Sequence, residues 1–202
     1  MRNVLLTGVG GQGTVLAAKV LAQAAQAKGW QVRTAETIGM AQRGGSVVSH
    51  VRMGDNGEEV IAPLVAKGTA DMIIAFEPAE AARVLPYLAP DGVMVSATTS
   101  IQPITAALSS EPYLAETTVA SLEKRLNGCD EAPARFVLVD DEAVLSQLGN
   151  KKALNTALLA FALKTGHLPL SLDDLRDAIR VCVKPRFVEL NLAAIDLVES
   201  KE

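Results

Sequence analysis

The chain has 202 residues, of which 49% are hydrophobic, 21% charged and only 3% aromatic, and its formal net charge is −4. That length carries one domain with a full core, the mildly acidic balance with no basic stripe argues against nucleic acid as a partner, and no apolar stretch approaches the roughly 20 residues that span a bilayer. The two cysteines, Cys129 and Cys182, form no C-x-x-C pair and cannot by themselves hold an iron–sulfur cluster, so they read as reduced thiols of a cytoplasmic protein.

Residues 3–7 make the first strand, and a strand this close to the start leaves no room for a signal peptide. Its apolar run Val4-Leu5-Leu6 feeds directly into Gly8, Gly10, Gly11 and Gly13. A helix is predicted over 13–28 on the apolar positions Val15, Leu16, Ala18, Val20, Leu21 and Ala24, with Gly29 as its stop. Residues 31–35 read as a second strand and 46–53 as a strongly β third. The turn signal Gly54-Asp55-Asn56-Gly57 then suggests that Val60-Ile61 returns as a short hairpin strand. A buried strand over 70–76, a helix over 78–88 and a strand over 92–97 follow. The stretch 98–134 holds Pro103, Pro112 and Pro133 and one helix, 119–127. Strand 135–139 comes next, with Asp140-Asp141 capping a helix over 142–148.

After that only helical patterns remain, at 152–164, 171–181 and 187–198, the second opened by Ser171 and Asp174 as a capping box. The alternation predicts an α/β fold. It is a three-layer, mostly parallel Rossmann-like sheet with a local antiparallel hairpin over 1–150, and 151–202 is a C-terminal helical extension of the same domain. The terminal helices either cover one edge of the sheet or form a partner surface.

The strand–glycine turn–helix run at 4–25 leaves backbone N–H groups free to hold an anion. Gly8, Gly10 and Gly13 fit the G-x-G-x-x-G spacing, in which glycines permit the sharp turn, the approach of a phosphate and close helix packing. Glu36, just past the second strand, stands where a dinucleotide enzyme places its ribose-binding acid, which keeps a stand-alone NAD(P)-dependent reductase in play. Against that reading, the chain is short for a separate substrate domain and carries no Tyr-x-x-x-Lys pair. No Gly-Lys-Ser/Thr completes a Walker loop.

A second constellation, Gly39-Met40-Ala41-Gln42-Arg43-Gly44-Gly45, lies in a loop between strands. Arg43 is a charged fork suited to phosphate or carboxylate, Gln12 and Gln42 offer amides, and Gly44 and Gly45 admit close approach of a ligand or partner. The alternative is a surface ion pair and a plain turn. His50, sharing a strand face with Val48 and Arg52, reads as a structural residue, and His167 as a loop residue. No metal site and no catalytic triad emerge from the spacing. Asp140-Asp141 reads as a cap, and Glu77 either faces the crevice or caps the helix after it.

GVGGQG at 8–13, GMAQRGGSVVSHVR at 39–52, AFEPAEAARVLPYL at 75–88 and KPRFVELNLAAIDL at 184–197 together resemble the gamma-type domain of the 2-oxoacid:ferredoxin oxidoreductases. Within that family the likeness is to the small (beta) subunits of the indolepyruvate:ferredoxin type. It runs over nearly the whole chain and is loose between about 101 and 134. The resemblance implies a non-redox subunit of an enzyme that converts an aryl-pyruvate, coenzyme A and oxidised ferredoxin to an acyl-CoA, carbon dioxide and reduced ferredoxin. Thiamine diphosphate and the iron–sulfur clusters would sit on the large (alpha) partner subunit, ferredoxin would be met through the holoenzyme, and no cofactor would be bound tightly here. Coenzyme A is the ligand implied for the candidate cofactor residues Gly8, Gly10, Gly11, Gln12, Gly13, Gln42, Arg43, Gly44 and Gly45. A purely structural assembly role is the remaining alternative. Without its partner, the isolated chain is expected to be inactive and to form a homodimer through its exposed apolar surface.

Overall fold

The computed structural model describes residues 1–39, 45–101, 113–126 and 135–201. Its strands β1 (Arg2–Val9), β2 (Gln31–Ile38), β3 (Ser46–Gly54), β4 (Ala70–Ala75), β5 (Leu88–Ala97) and β6 (Arg135–Val139) form one sheet in the order β2-β3-β1-β4-β5-β6. β1, β4, β5 and β6 run parallel, whereas β3 is antiparallel to both of its neighbours, β1 and β2. The antiparallel hairpin is therefore β2–β3, joined through 39–45. Val60-Ile61 adds no strand, because both edges of β3 are already paired and no donors or acceptors remain for a returning segment.

The helices are α1 (Thr14–Ala27), α2 (Pro78–Val84), α3 (Ala115–Leu126), α4 (Asp141–Leu148), α5 (Leu154–Lys164), α6 (Leu172–Cys182) and α7 (Pro185–Glu199). The expected helix over 78–88 stops at Val84. Pro86 lacks the N–H that a continuing helix needs, so the chain closes as a short 3-10 turn, Leu85–Tyr87, and enters β5 at Leu88. The helix expected over 119–127 begins about a turn earlier, at Ala115. None of these helices is long and apolar enough to cross a membrane.

Strand alternation sends Val4, Leu6, Met72, Ile74, Val93 and Val95 to one face of the sheet and Leu5, Ile73 and Met94 to the other. The first face is covered by α1 and by the C-terminal helices, which share one continuous apolar cluster with it. The terminal helices thus lie over a face of the sheet and not along its edge. The second face is covered by α2 and α3. Apolar side chains such as Leu5, Ile73 and Leu158 have no accessible surface, and each such burial stabilises the fold by about 1.5–3 kcal/mol. α6 opens with the expected capping box: Ser171 Oγ accepts from Asp174 N–H, while the Asp174 carboxylate accepts from Ser171 N–H.

His50 lies in β3, buried, and its Nδ1 accepts from Val65 N–H at 3.1 Å, which ties the loop after β3 to the sheet. Burial pushes the imidazole below its ordinary value of 6.5. The neutral ring's contribution is therefore whole above that value and declines as pH falls below it toward the lowered folded value. We expect the melting temperature to drop on acidification from about pH 7 to about pH 5. His50→Ala should cost about 1–3 kcal/mol by orphaning Val65 N–H, and should flatten that pH slope. Thermal unfolding of both proteins across the range checks this, and identical slopes would contradict it.

Candidate functional site

The carboxyl ends of β1, β4, β5 and β6 point the same way, and the β1–α1 turn sits among them. Gly8 is required by space: a Cβ there would lie 2.7 Å from Gln12 Oε1 and 2.9 Å from Phe76 Cβ. Gly13 is required by conformation. It is the N-cap of α1 with φ 85°, in the left-handed region. No side chain caps α1 and its first turn carries no acidic residue, so the positive end of a 14-residue helix is left open.

Gln12, expected among the cofactor residues, uses its amide within the protein. Its Oε1 accepts from Val9 N–H at 2.7 Å and its Nε2 donates to the Phe76 carbonyl at 2.9 Å. The second glycine loop does meet the first: Gly10 N–H donates to the Gly45 carbonyl at 2.9 Å. Of the expected residues in that loop, Gln42, Arg43 and Gly44 lie outside the described residues. Glu36 falls within β2, exposed, opposite Ser49 of β3, which in turn faces Leu6 of β1. The intervening strand therefore separates Glu36 from the glycine turn that a ribose-binding acid must adjoin.

Glu77 caps α2. Its Oε2 accepts from Glu80 N–H at 3.0 Å and its Oε1 accepts from Tyr113 OH at 2.9 Å. The carboxyl is 1% exposed, and burial raises its pKa above the ordinary carboxylate range. Asp140 caps α4 through Ala143 N–H. Asp141 was expected to share that capping role but does something else. Its Oδ1 accepts from Thr98 N–H, Thr98 Oγ1 and Thr99 N–H, binding the end of β5 to the start of α4. Among the described residues, no group of three or more His, Cys, Asp or Glu side chains is placed to hold a metal ion. Cys182 is free and partly buried, and burial raises its thiol pKa.

Beside the turn, on the side away from Gly45, opens a cavity of about 830 Å³. Gly11, Gln12 and Gly13 line it together with Thr99, Asp141, Lys152, Asn155 and Phe187. None of these last five was expected to belong to a site. One signal was available in the sequence: Asn155-Thr156 is a polar pair in a helix otherwise apolar up to its last residue, Lys164, and both residues are buried.

Residues 3–198 match the family model described as pyruvate ferredoxin/flavodoxin oxidoreductase. The chain is 36% identical over 196 residues to indolepyruvate oxidoreductase subunit IorB of Pyrococcus horikoshii, covering 96% of this chain and 93% of that one. Its fold superposes on a keto/oxoacid ferredoxin oxidoreductase gamma subunit from Geobacter sulfurreducens with a TM-score of 0.64 at 21% identity, covering 98% and 96% of the two chains. It also superposes, with a TM-score of 0.68 at 17% identity, on 30% of the 2-oxoglutarate:ferredoxin oxidoreductase of Magnetococcus marinus, a structure with 2-oxoglutarate, coenzyme A and succinyl-CoA bound. The superposition takes in 98% of this chain.

The Gln12 bonds carry their own test. Gln12→Ala leaves Val9 N–H and the Phe76 carbonyl without partners and should cost about 1–3 kcal/mol of unfolding free energy. Gln12→Glu keeps the acceptor but sets a carboxylate oxygen against the Phe76 carbonyl, and near neutral pH should cost at least as much. Chemical denaturation measures both, and an alanine variant as stable as the parent would remove the clamp.

Proposed function

This chain belongs to the pyruvate ferredoxin/flavodoxin oxidoreductase family, and from that premise we propose that it is the small subunit of an indolepyruvate-type 2-oxoacid:ferredoxin oxidoreductase. The observation that carries the reading is the 36% identity to an IorB subunit across 96% of the chain. The reaction is the oxidative decarboxylation of an aryl-pyruvate to the corresponding acyl-CoA, with ferredoxin as electron acceptor. In this reading the large partner subunit holds thiamine diphosphate and the iron–sulfur clusters, and ferredoxin docks on the assembled enzyme. This chain's donor set does not fit a cluster: Cys182 is a lone thiol among the described residues and Cys129 lies outside them. We place the complex in the cytoplasm.

The small subunit's own contribution, as we read it, is shape and backbone dipoles. Gly8, Gly10, Gly11 and Gly13 set the open N-terminus of α1 toward the phosphates of coenzyme A, and Arg43 with Gln42, Gly44 and Gly45 are the second loop's candidates for the same phosphates. Gln12 enters only as the residue that holds the turn. A stand-alone reductase finds no support in the position of Glu36. Edge strand β2, exposed along much of both faces and unpaired on its outer side among the described residues, is the surface we assign to the large subunit, or to a second copy when that subunit is missing.

Purified alone, the chain should turn over neither 2-oxoacids nor NAD(P)H. Mixed with the large subunit, it should restore aryl-pyruvate-dependent ferredoxin reduction. Arg43→Ala should raise the KM for coenzyme A by about tenfold while leaving assembly intact. Turnover by the chain alone would overturn the subunit reading, and an unchanged KM would remove Arg43 from the coenzyme site.

A further inference from the structure

The start of α2 carries two buried carboxylates whose partners lie in three other parts of the chain. Glu77 is 1% exposed and Glu80 5%, and a glutamate is rarely buried so far unless its oxygens are paired. Here each oxygen has a partner. Glu77 accepts from Tyr113 OH on Oε1 and from Glu80 N–H on Oε2. Glu80 accepts from Ser46 Oγ–H on Oε2, and its Oε1 lies 3.3 Å from Arg83 Nε. Arg83 belongs to the same helix and is mostly exposed, so the Ser46 bond is the one by which the Glu80 side chain reaches another element.

Ser46 stands at a junction. It is the first residue of β3 and follows Gly45, whose carbonyl accepts from Gly10 N–H of the glycine turn. Its own carbonyl accepts from Gly39 N–H at 2.8 Å, which closes the end of β2 on the start of β3. The base of the second glycine loop is thus tied by backbone to β2 and to the first turn. Among the described residues, the one side-chain hydrogen bond made by residues 38–46 is that of Ser46 to Glu80. The first turn is pinned to the same place, because Gln12 Nε2 donates to the carbonyl of Phe76, the residue before Glu77. Both glycine segments therefore take their position from the junction of β4 and α2.

We propose that Glu80 is a positioning residue: through Ser46 it holds the second glycine loop against the first, while Glu77, bonded to Tyr113, holds Glu80 in place. A hydroxyl-to-carboxylate bond in a buried setting is stronger than a neutral one, and water does not readily replace it when it is lost. The effect on ligand binding rests on the small-subunit reading, whereas the tether itself does not.

The test is residue-resolved amide hydrogen exchange of the full chain. In Ser46→Ala the amides of Gly10 and Gly39 should exchange about tenfold faster than in the parent, while that of Ile74, in the middle of the sheet, keeps its rate. Ser46→Thr keeps the hydroxyl and should restore both. Glu80→Ala should match Ser46→Ala, and if it fails to fold, the two Ser46 variants decide alone. Unmoved exchange at Gly10 and Gly39 in Ser46→Ala overturns the proposal. In the complex with the large subunit, Ser46→Ala should raise the KM for coenzyme A severalfold and leave kcat within about twofold of the parent, a split that lost stability alone does not produce. An unchanged KM beside faster exchange overturns the positioning role. A parent complex that reduces no ferredoxin overturns the small-subunit reading instead, and exchange then decides for the tether.

Discussion

The side-chain amide of Gln12 joins the glycine turn to the ends of two neighbouring strands. Accepting from Val9 N–H, it folds the glycine turn back on the end of β1, and donating to the Phe76 carbonyl, it pins the turn to the end of β4. Phe76 N–H already donates to the Thr7 carbonyl, so the two parallel strands are tied by backbone and side chain at the same level. Gly8 must then be glycine, because Gln12 and Phe76 occupy the space a Cβ needs. The direction of α1 follows from this, and with it the direction in which its open N-terminus points. A residue with the donors and acceptors to touch a ligand instead sets the frame that presents backbone groups to one.

The reversed strand β3 determines what surrounds that frame. In a parallel βαβ unit β2 would lie against β1 and bring its C-terminal acid to the glycine turn. Here β3 enters between them, paired along its whole length on both sides. Two consequences follow. Glu36 is carried to the outside of the sheet, and the start of β3 brings Gly45 to Gly10 instead. A glycine-on-glycine contact of this kind admits a backbone hydrogen bond where side chains would hold the loops apart. The turn thereby touches the start of β3 on one side, and on the side of β5 it borders the cavity.

What could be read from the sequence was local. The limits of β6, the capping box of Ser171 and Asp174, the stop at Gly29 and the cap at Asp140 each depend on residues within one turn of one another. The pairing of β3 depends on which edges are free, a property of the assembled sheet, so the turn signal at 54–57 suggested a hairpin partner that the topology has no place for. The apolar positions on either side of Pro86 keep a helical period, and the proline nonetheless ends α2 at Val84. The cavity escaped for the same reason as β3: its wall comes from the β1 turn, the end of β5, the starts of α4 and α5, and α7, segments that only folding brings together. Asp141 shows the limit most plainly. A cap is a local inference, whereas its bonds to Thr98 and Thr99 reach across the chain.

The C-terminal helices take part in that wall and do more than cover the sheet. α5 is buried around most of its circumference, a setting in which Asn155 and Thr156 must find partners or destabilise the core. Thr156 Oγ1 donates to Asn191 Oδ1 of α7, and Asn191 Nδ2 donates to the Phe187 carbonyl one turn earlier in the same helix. That chain fixes α7 against the start of α5 and places Phe187 at the cavity. It satisfies Thr156 and Asn191, and beside it Asn155 Oδ1 accepts from Thr156 N–H. An apolar residue at 155 would leave Thr156 N–H without that acceptor. The amide of Asn155 sits beside Gly13, the uncapped start of α1, so the C-terminal helices bring a polar group to the glycine turn.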